Sequence, residues 1–123
     1  MRFLSMVKSA ENDGPPPPEL LDAMAKVAEQ EASAGILVAM GGLLPSAAGA
    51  RVRLAAGTIS ASDGPFAEAK EVVGGYAFLE VASKEEAVAA AERLLELHRQ
   101  HWPGWEGEVE IRPVAEVPDF PPA

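Results

Sequence analysis

The chain contains no cysteine. Disulfides, thiolate nucleophiles and cysteine-based zinc sites are therefore excluded. There are two histidines, His98 and His101, close enough to share one helix. No third ligand at suitable spacing accompanies them, so no metal is expected. Cationic side chains are also scarce: ten Lys and Arg stand against nineteen Asp and Glu, a formal charge of −9. The cations are scattered from Arg2 to Arg112, and only Arg51 and Arg53 lie near each other. Such a field repels nucleic acid and anionic membrane surfaces alike. The longest apolar run, 34–44, holds three glycines and is too short to cross a bilayer. "MRFLSMVK" is too brief for a signal peptide, and a cytoplasmic location is the expectation. "MGGLL" and "VVGGY" carry glycine pairs without the spacing or the lysine of a phosphate-cradling loop, and no nucleophile elbow appears.

What is present is one domain, 1–123, with 48% hydrophobic residues, enough for a core without staples. Residues 1–8 read as a strand with Phe3 and Val7 on one face and Leu4 and Met6 on the other, the pattern of a central strand. "ENDGPPPP" (11–18) reads as an exposed, stiff loop feeding a helix, since prolines cannot donate to a ladder. Docking by a partner domain is the less common use of such a run. A helix is expected over 19–34, with Leu20, Met24, Val27, Ala28 and Glu31 at helical spacing and Gly35 as its stop. "ILVAM" (36–40) reads as a strand stopped by Gly41 and Gly42. Residues 51–54 and 58–61 read as a hairpin with one solvated face. "YAFLEV" (76–81) is another strand that is apolar on both faces. "SKEE" (83–86) fits a capping box for a second helix, along which Ala87, Val88, Ala91, Leu94, Leu95 and His98 share a face. "EVEIR" (108–112) alternates as a last strand, and 113–123 form a proline-rich tail.

With the hairpin set aside, the order is βαββαβ, a ferredoxin-like α+β unit. Two helices cover only one face of its sheet, yet the central strands are apolar on both. Pairing of the open faces in a homodimer is therefore expected. A single subunit with a ligand buried across the sheet is the weaker alternative.

"GGLLPS", "SDGPFAEAKEVVGGY", "SKEEAVAAAE" and "GEVEIRPV", in this order and spacing, resemble the YCII-related family, in particular the branch named for its DGPF motif. The resemblance covers nearly the whole chain. It implies a ferredoxin-like subunit dimerised into an α+β barrel, with an enzyme-like pocket whose substrate is generally unassigned. Genes of such proteins often accompany those for alternative sigma factors, which leaves a sigma-factor association open. The founding branch pairs a His on the first helix with an Asp for acid–base work. Here 19–34 contains no His, and Met24 lies near the expected place.

The chemistry then falls to the DGPF segment and to His98. Asp63 either holds its turn, the commoner role of Asp-Gly-Pro, or serves as base or ligand acceptor beside the apolar wall of Phe66. Glu68, Lys70 and Glu71 read first as a solvated charge run. Within the family motif, Lys70 also reads as an anion clamp and Glu71 as a ligand contact. Residues 65–73 fit a short helical stretch closed by Gly74 and Gly75. Tyr76 is a core aromatic able to lend its hydroxyl to a pocket. His98 continues the apolar stripe and is the candidate second proton carrier, while "WPGW" packs Trp102 and Trp105. The expectation is a homodimer that binds a small organic molecule near the DGPF loop, with cofactor-free lyase- or isomerase-like chemistry open to it. A non-catalytic interaction or regulatory module is the alternative, and a structural or vestigial role comes third.

Overall fold

A computed structural model describes residues 1–116. The elements run β1 (Arg2–Ser9), α1 (Pro18–Ser33), β2 (Leu37–Gly42), β3 (Ala50–Ala55), β4 (Thr58–Asp63), β5 (Val72–Glu80), α2 (Lys84–His101) and β6 (Gly107–Pro113). The main sheet has the order β2-β5-β1-β6, with every pairing antiparallel. β3 and β4 form a separate two-stranded ribbon. This is the ferredoxin-like α+β architecture, with β1 and β5 central, as their two-sided apolar pattern requires. The ribbon is the hairpin inserted between β2 and β5. The expected tail starts on the last residue of β6, and just beyond it Val114 N donates to Arg2 O at 2.8 Å. Its residues 117–123 lie outside the described residues. No helix among the described residues is long and apolar enough to cross a membrane.

Local chemistry explains both helices. Pro18 opens α1, where its missing N–H costs nothing. α1 ends on Gly35 at φ 77°, with Ile36 N donating to Glu31 O and Gly35 N to Ala32 O. That double closure satisfies two carbonyls the helix would otherwise strand. At the start of α2, Ser83 Oγ accepts from Glu86 N at 3.3 Å, while Glu86 Oε2 accepts from Ala82 N at 3.0 Å. The capping box is thus present, its return bond reaching one residue further back than the usual motif. Phe3, Leu79, Val81, Ala87 and Ala90 form the core between sheet and helices, with Ile36, Leu37, Ala77 and Ile111 packed on it.

Two expectations about glycine are corrected. Gly41 and Gly42 do not stop β2 but belong to it, and Gly74 and Gly75 lie inside β5 rather than closing a helix. Residues 65–71 form turns, not helix, before β5 begins at Val72. The reason at Gly41 is tertiary. Tyr76 faces it across the ladder, and a Cβ there would stand 2.8 Å from the Tyr76 hydroxyl. The glycine makes a bed for an aromatic ring.

Among the described residues, no helix covers the opposite face of the sheet. Register places Leu4, Met6, Tyr76 and Phe78 on it, with the Tyr76 and Phe78 rings edge to face at 6.3 Å. β6 adds a charged border, where Lys8 Nζ lies 3.1 Å from Glu108 and 2.9 Å from Glu110. Its bond to Glu110, then that to Glu108, raises the Lys8 pKa, and the Lys8 contact in turn lowers that of Glu110.

Candidate functional site

Between the helices and the sheet lies a cavity of about 700 Å³. Such a volume suits a small organic ligand. Its walls are largely apolar: Val7 and Leu79 from the sheet, Met24 and Ala28 from α1, Ala91 and Leu94 from α2. Met24, near the place of the His absent from α1, is thus a wall residue.

His98 enters this cavity from the last turns of α2 and is 6% exposed. Its Nδ1 is 2.8 Å from Leu94 O. A carbonyl only accepts, so Nδ1 carries a proton and donates it to Leu94 O, which leaves Nε2 as the ring nitrogen outside that bond. Trp105 lies against the imidazole at 4.5 Å between centroids, and Trp102 stacks at 6.4 Å. Both indoles line the same cavity. "WPGW" therefore builds an aromatic floor that fixes the imidazole plane.

Glu31 is the residue sequence reasoning passed over. It lines the cavity from α1, and burial pushes its carboxyl pKa up, with Arg93 opposing. The signal was available: a carboxylate on the apolar stripe of Leu20, Met24, Val27 and Ala28 has to face something other than water. Ser5, 5% exposed, adds a hydroxyl to the same wall.

The DGPF segment sits elsewhere, as a clamp at the root of the ribbon. Gly64 N donates to Gly49 O at 2.9 Å, and Phe66 N donates to Ser46 Oγ at 3.0 Å. The Gly64–Pro65 peptide bond is cis. The Ser46 hydroxyl and amide in turn donate to the Glu11 carboxylate, at 2.5 and 2.6 Å. Those bonds, the hydroxyl's first, hold Glu11 below the usual carboxylate range. The Arg51 guanidinium covers the Phe66 ring at 3.9 Å and pairs with Glu68. Glu68 is lowered by its own backbone amide and then by Arg51. Three segments distant in sequence are thereby tied at one point.

The candidate residues separate accordingly. His98 lines the large cavity. Tyr76 borders it too, though its ring lies over Gly41 on the open sheet face. Phe66 and Glu71 line a shallower cleft of about 610 Å³ that shares Glu11, Gly42–Pro45, Val72 and Val73 with the large cavity. Asp63 and Lys70 are exposed and line neither. Asp63 closes β4, opposite Ala50. Among the described residues, no group of three His, Asp or Glu is arranged to hold a metal ion.

Fold and site together define a ferredoxin-like α+β subunit with an apolar, imidazole-bearing cavity beneath its helices and a clamped ribbon beside it. The chain belongs to the YCII-related domain family, whose model matches residues 1–117. It is also similar to an uncharacterized protein of Rhizobium meliloti (strain 1021), 34% identical over 92 residues, which is 75% of this chain and 70% of that protein.

Proposed function

We propose that this protein is a homodimer whose subunits each bind a small, largely apolar organic molecule in the cavity between helices and sheet. His98 exchanges a proton with that molecule without a bound cofactor. The observation that carries the reading is the pinned imidazole. Leu94 O holds its Nδ1, two indoles lie against its ring, and Nε2 is the nitrogen left for a ligand in the apolar chamber that His98 lines. A base is effective when it is positioned and partly shielded from water. Glu31, whose carboxyl pKa burial raises, supplies a second proton site on the facing helix. The dimer follows from the open sheet face, where Leu4, Met6, Tyr76 and Phe78 have no helical cover. Asp63 and Lys70 act as acceptor and clamp only where a second subunit completes the surface beside them. Phe66 and Glu71 form the outer lip of the entrance.

The test uses the chain's own reporters, since both of its tryptophans flank the cavity. Nile red, a neutral apolar dye, should bind and quench them, and Ala28→Phe, which fills the cavity, should abolish binding in a folded protein. His98→Gln should keep dye binding. Compounds recovered by tryptophan quenching should exchange an acidic C–H with deuterated solvent on the native protein and not on His98→Gln. Unchanged dye binding in folded Ala28→Phe would place the ligand elsewhere and end the proposal.

A second reading, a non-catalytic interaction module with a sigma factor as its partner, draws on Leu43 and Leu44, which are 50% and 81% exposed at the entrance. A stoichiometric complex with such a factor, formed by a protein that admits no dye, would favour it.

A further inference from the structure

Apart from His98, the cavity wall carries ionisable side chains of one sign only. Glu11 and Asp13 stand exposed at its rim and Glu31 lies half-buried on α1, while the lining includes no Lys or Arg. Glu11 is engaged by Ser46. Glu31 is not engaged: among the described residues no hydrogen bond or salt bridge reaches its carboxyl. Arg93, exposed on α2, acts on it only through space, opposing the rise that burial causes in its pKa. A half-buried carboxylate without a partner destabilises the empty subunit, and a cation bound beside it removes that penalty.

Two further features of the wall ask for the same kind of guest. Ser5 sits at the middle of the sheet, between Ala77 of β5 and Ile111 of β6, and is 5% exposed. It lines the cavity, yet its hydroxyl bonds to none of the described residues. A buried hydroxyl open to a chamber can accept from a donor on the occupant. Trp102 and Trp105, 5.9 Å apart between centroids, line the same chamber. An indole face attracts a cation within about 6 Å of its centroid, most strongly where water is excluded.

We infer that the ligand of this cavity is an organic cation, a protonated amine carried on an apolar body. This rests on the ligand-binding cavity proposed above and names the charge of its occupant. The ammonium donates to the Glu31 carboxylate and the Ser5 hydroxyl, an indole face shares its charge, and the hydrocarbon body fills the apolar remainder. An anion would meet carboxylates and no cation in the lining, and a neutral molecule would leave Glu31 uncompensated. A bare metal ion suits the wall less, because among the described residues no three His, Asp or Glu are grouped to ligate one. The chain's formal charge of −9 also draws cations toward the rim.

Three probes that share one apolar body test this: phenylbutylamine, phenylbutanol and phenylbutyrate, each competing with Nile red on the full chain at neutral pH. The amine should displace the dye at a concentration lower than the alcohol by about tenfold or more, with the butyrate weakest. In Glu31→Gln the advantage of amine over alcohol should shrink by about tenfold. Calorimetry with Ala28→Phe, whose cavity is filled, should show no amine binding. An alcohol that matches the amine on native protein holding Nile red overturns the charge assigned to the ligand and leaves the cavity reading in place. An amine preference that Glu31→Gln leaves intact, or amine binding that survives Ala28→Phe, also overturns the inference, the latter as attraction to an acidic surface. A native protein that takes up neither the dye nor any probe overturns the cavity reading and this inference with it.

Discussion

Gly64→Ala should be far more damaging than its chemistry suggests, and Gly49→Ala, in the same clamp, should not. Neither glycine has a positive φ, so only steric space separates them. A Cβ at Gly64 would stand 1.6 Å from Ser46 O and 2.5 Å from its carbonyl carbon, both backbone atoms. Side-chain carbons essentially never approach closer than 3.0 Å, so one of the two segments has to move. That movement breaks the Gly64–Gly49 bond and pulls Phe66 N off Ser46 Oγ. Overpacking of this kind costs about 1–3 kcal/mol. Each lost hydrogen bond adds about 1 kcal/mol. The ceiling is set by local opening: once the clamp releases, the rest of the subunit stays folded. The expected total is about 2–4 kcal/mol, or roughly 10 °C in Tm for a chain of this size. At Gly49 a Cβ would meet Ser46 O at 3.5 Å, an ordinary contact, so the change should be under about 0.5 kcal/mol. Thermal melts of the two variants, with amide exchange at Gly64 and Phe66, decide the matter. A Gly64→Ala protein that melts with the native chain and keeps both amides protected would refute the steric account.

Glu31→Gln should stabilise the protein at neutral pH. A raised carboxyl pKa means the folded state holds the proton more tightly than the unfolded chain, so ionisation opposes folding as pH rises through the folded value. The Tm gain should be present at pH 7 and fade below the ordinary carboxylate range, where native Glu31 is itself protonated; a loss at pH 7 would contradict it. Ser83→Ala removes the acceptor for Glu86 N and should cost about 1 kcal/mol, read as a Tm lowered by roughly 4 °C. An unchanged melt would mean the cap contributes nothing.

The fold was legible where local chemistry specifies it. The proline entry and glycine exit of α1, the Ser83 cap of α2 and the two-sided strands read at 1–8 and 76–81 together leave few topologies open. The double glycines were not legible. Nothing near Gly41 announces that Tyr76, 35 residues later, will lie on it, so a breaker residue was read where a strand continues. His98 could be found because an imidazole on an apolar stripe must face an interior. Glu31 carried a similar signal, but a single Glu at helical spacing reads as surface. The DGPF segment misled in a different way. Its polar density suggests chemistry, while its partners, Ser46 and Gly49, come from a loop no local pattern connects to it, and Ser46 is held in turn by Glu11.

The clamp and the cavity are nonetheless one mechanical unit. Glu11, Leu43, Pro45, Val72 and Val73 line both the cavity and the cleft that the clamp closes. Glu11 accepts from Ser46, Ser46 accepts from Phe66, and Phe66 carries Arg51 at the start of the ribbon. A displacement of the ribbon therefore reaches the residues bordering the cavity through three short contacts. The polar density of the DGPF segment thus belongs to the joint between the ribbon and the cavity wall, while the imidazole lies apart from it, deeper behind that wall.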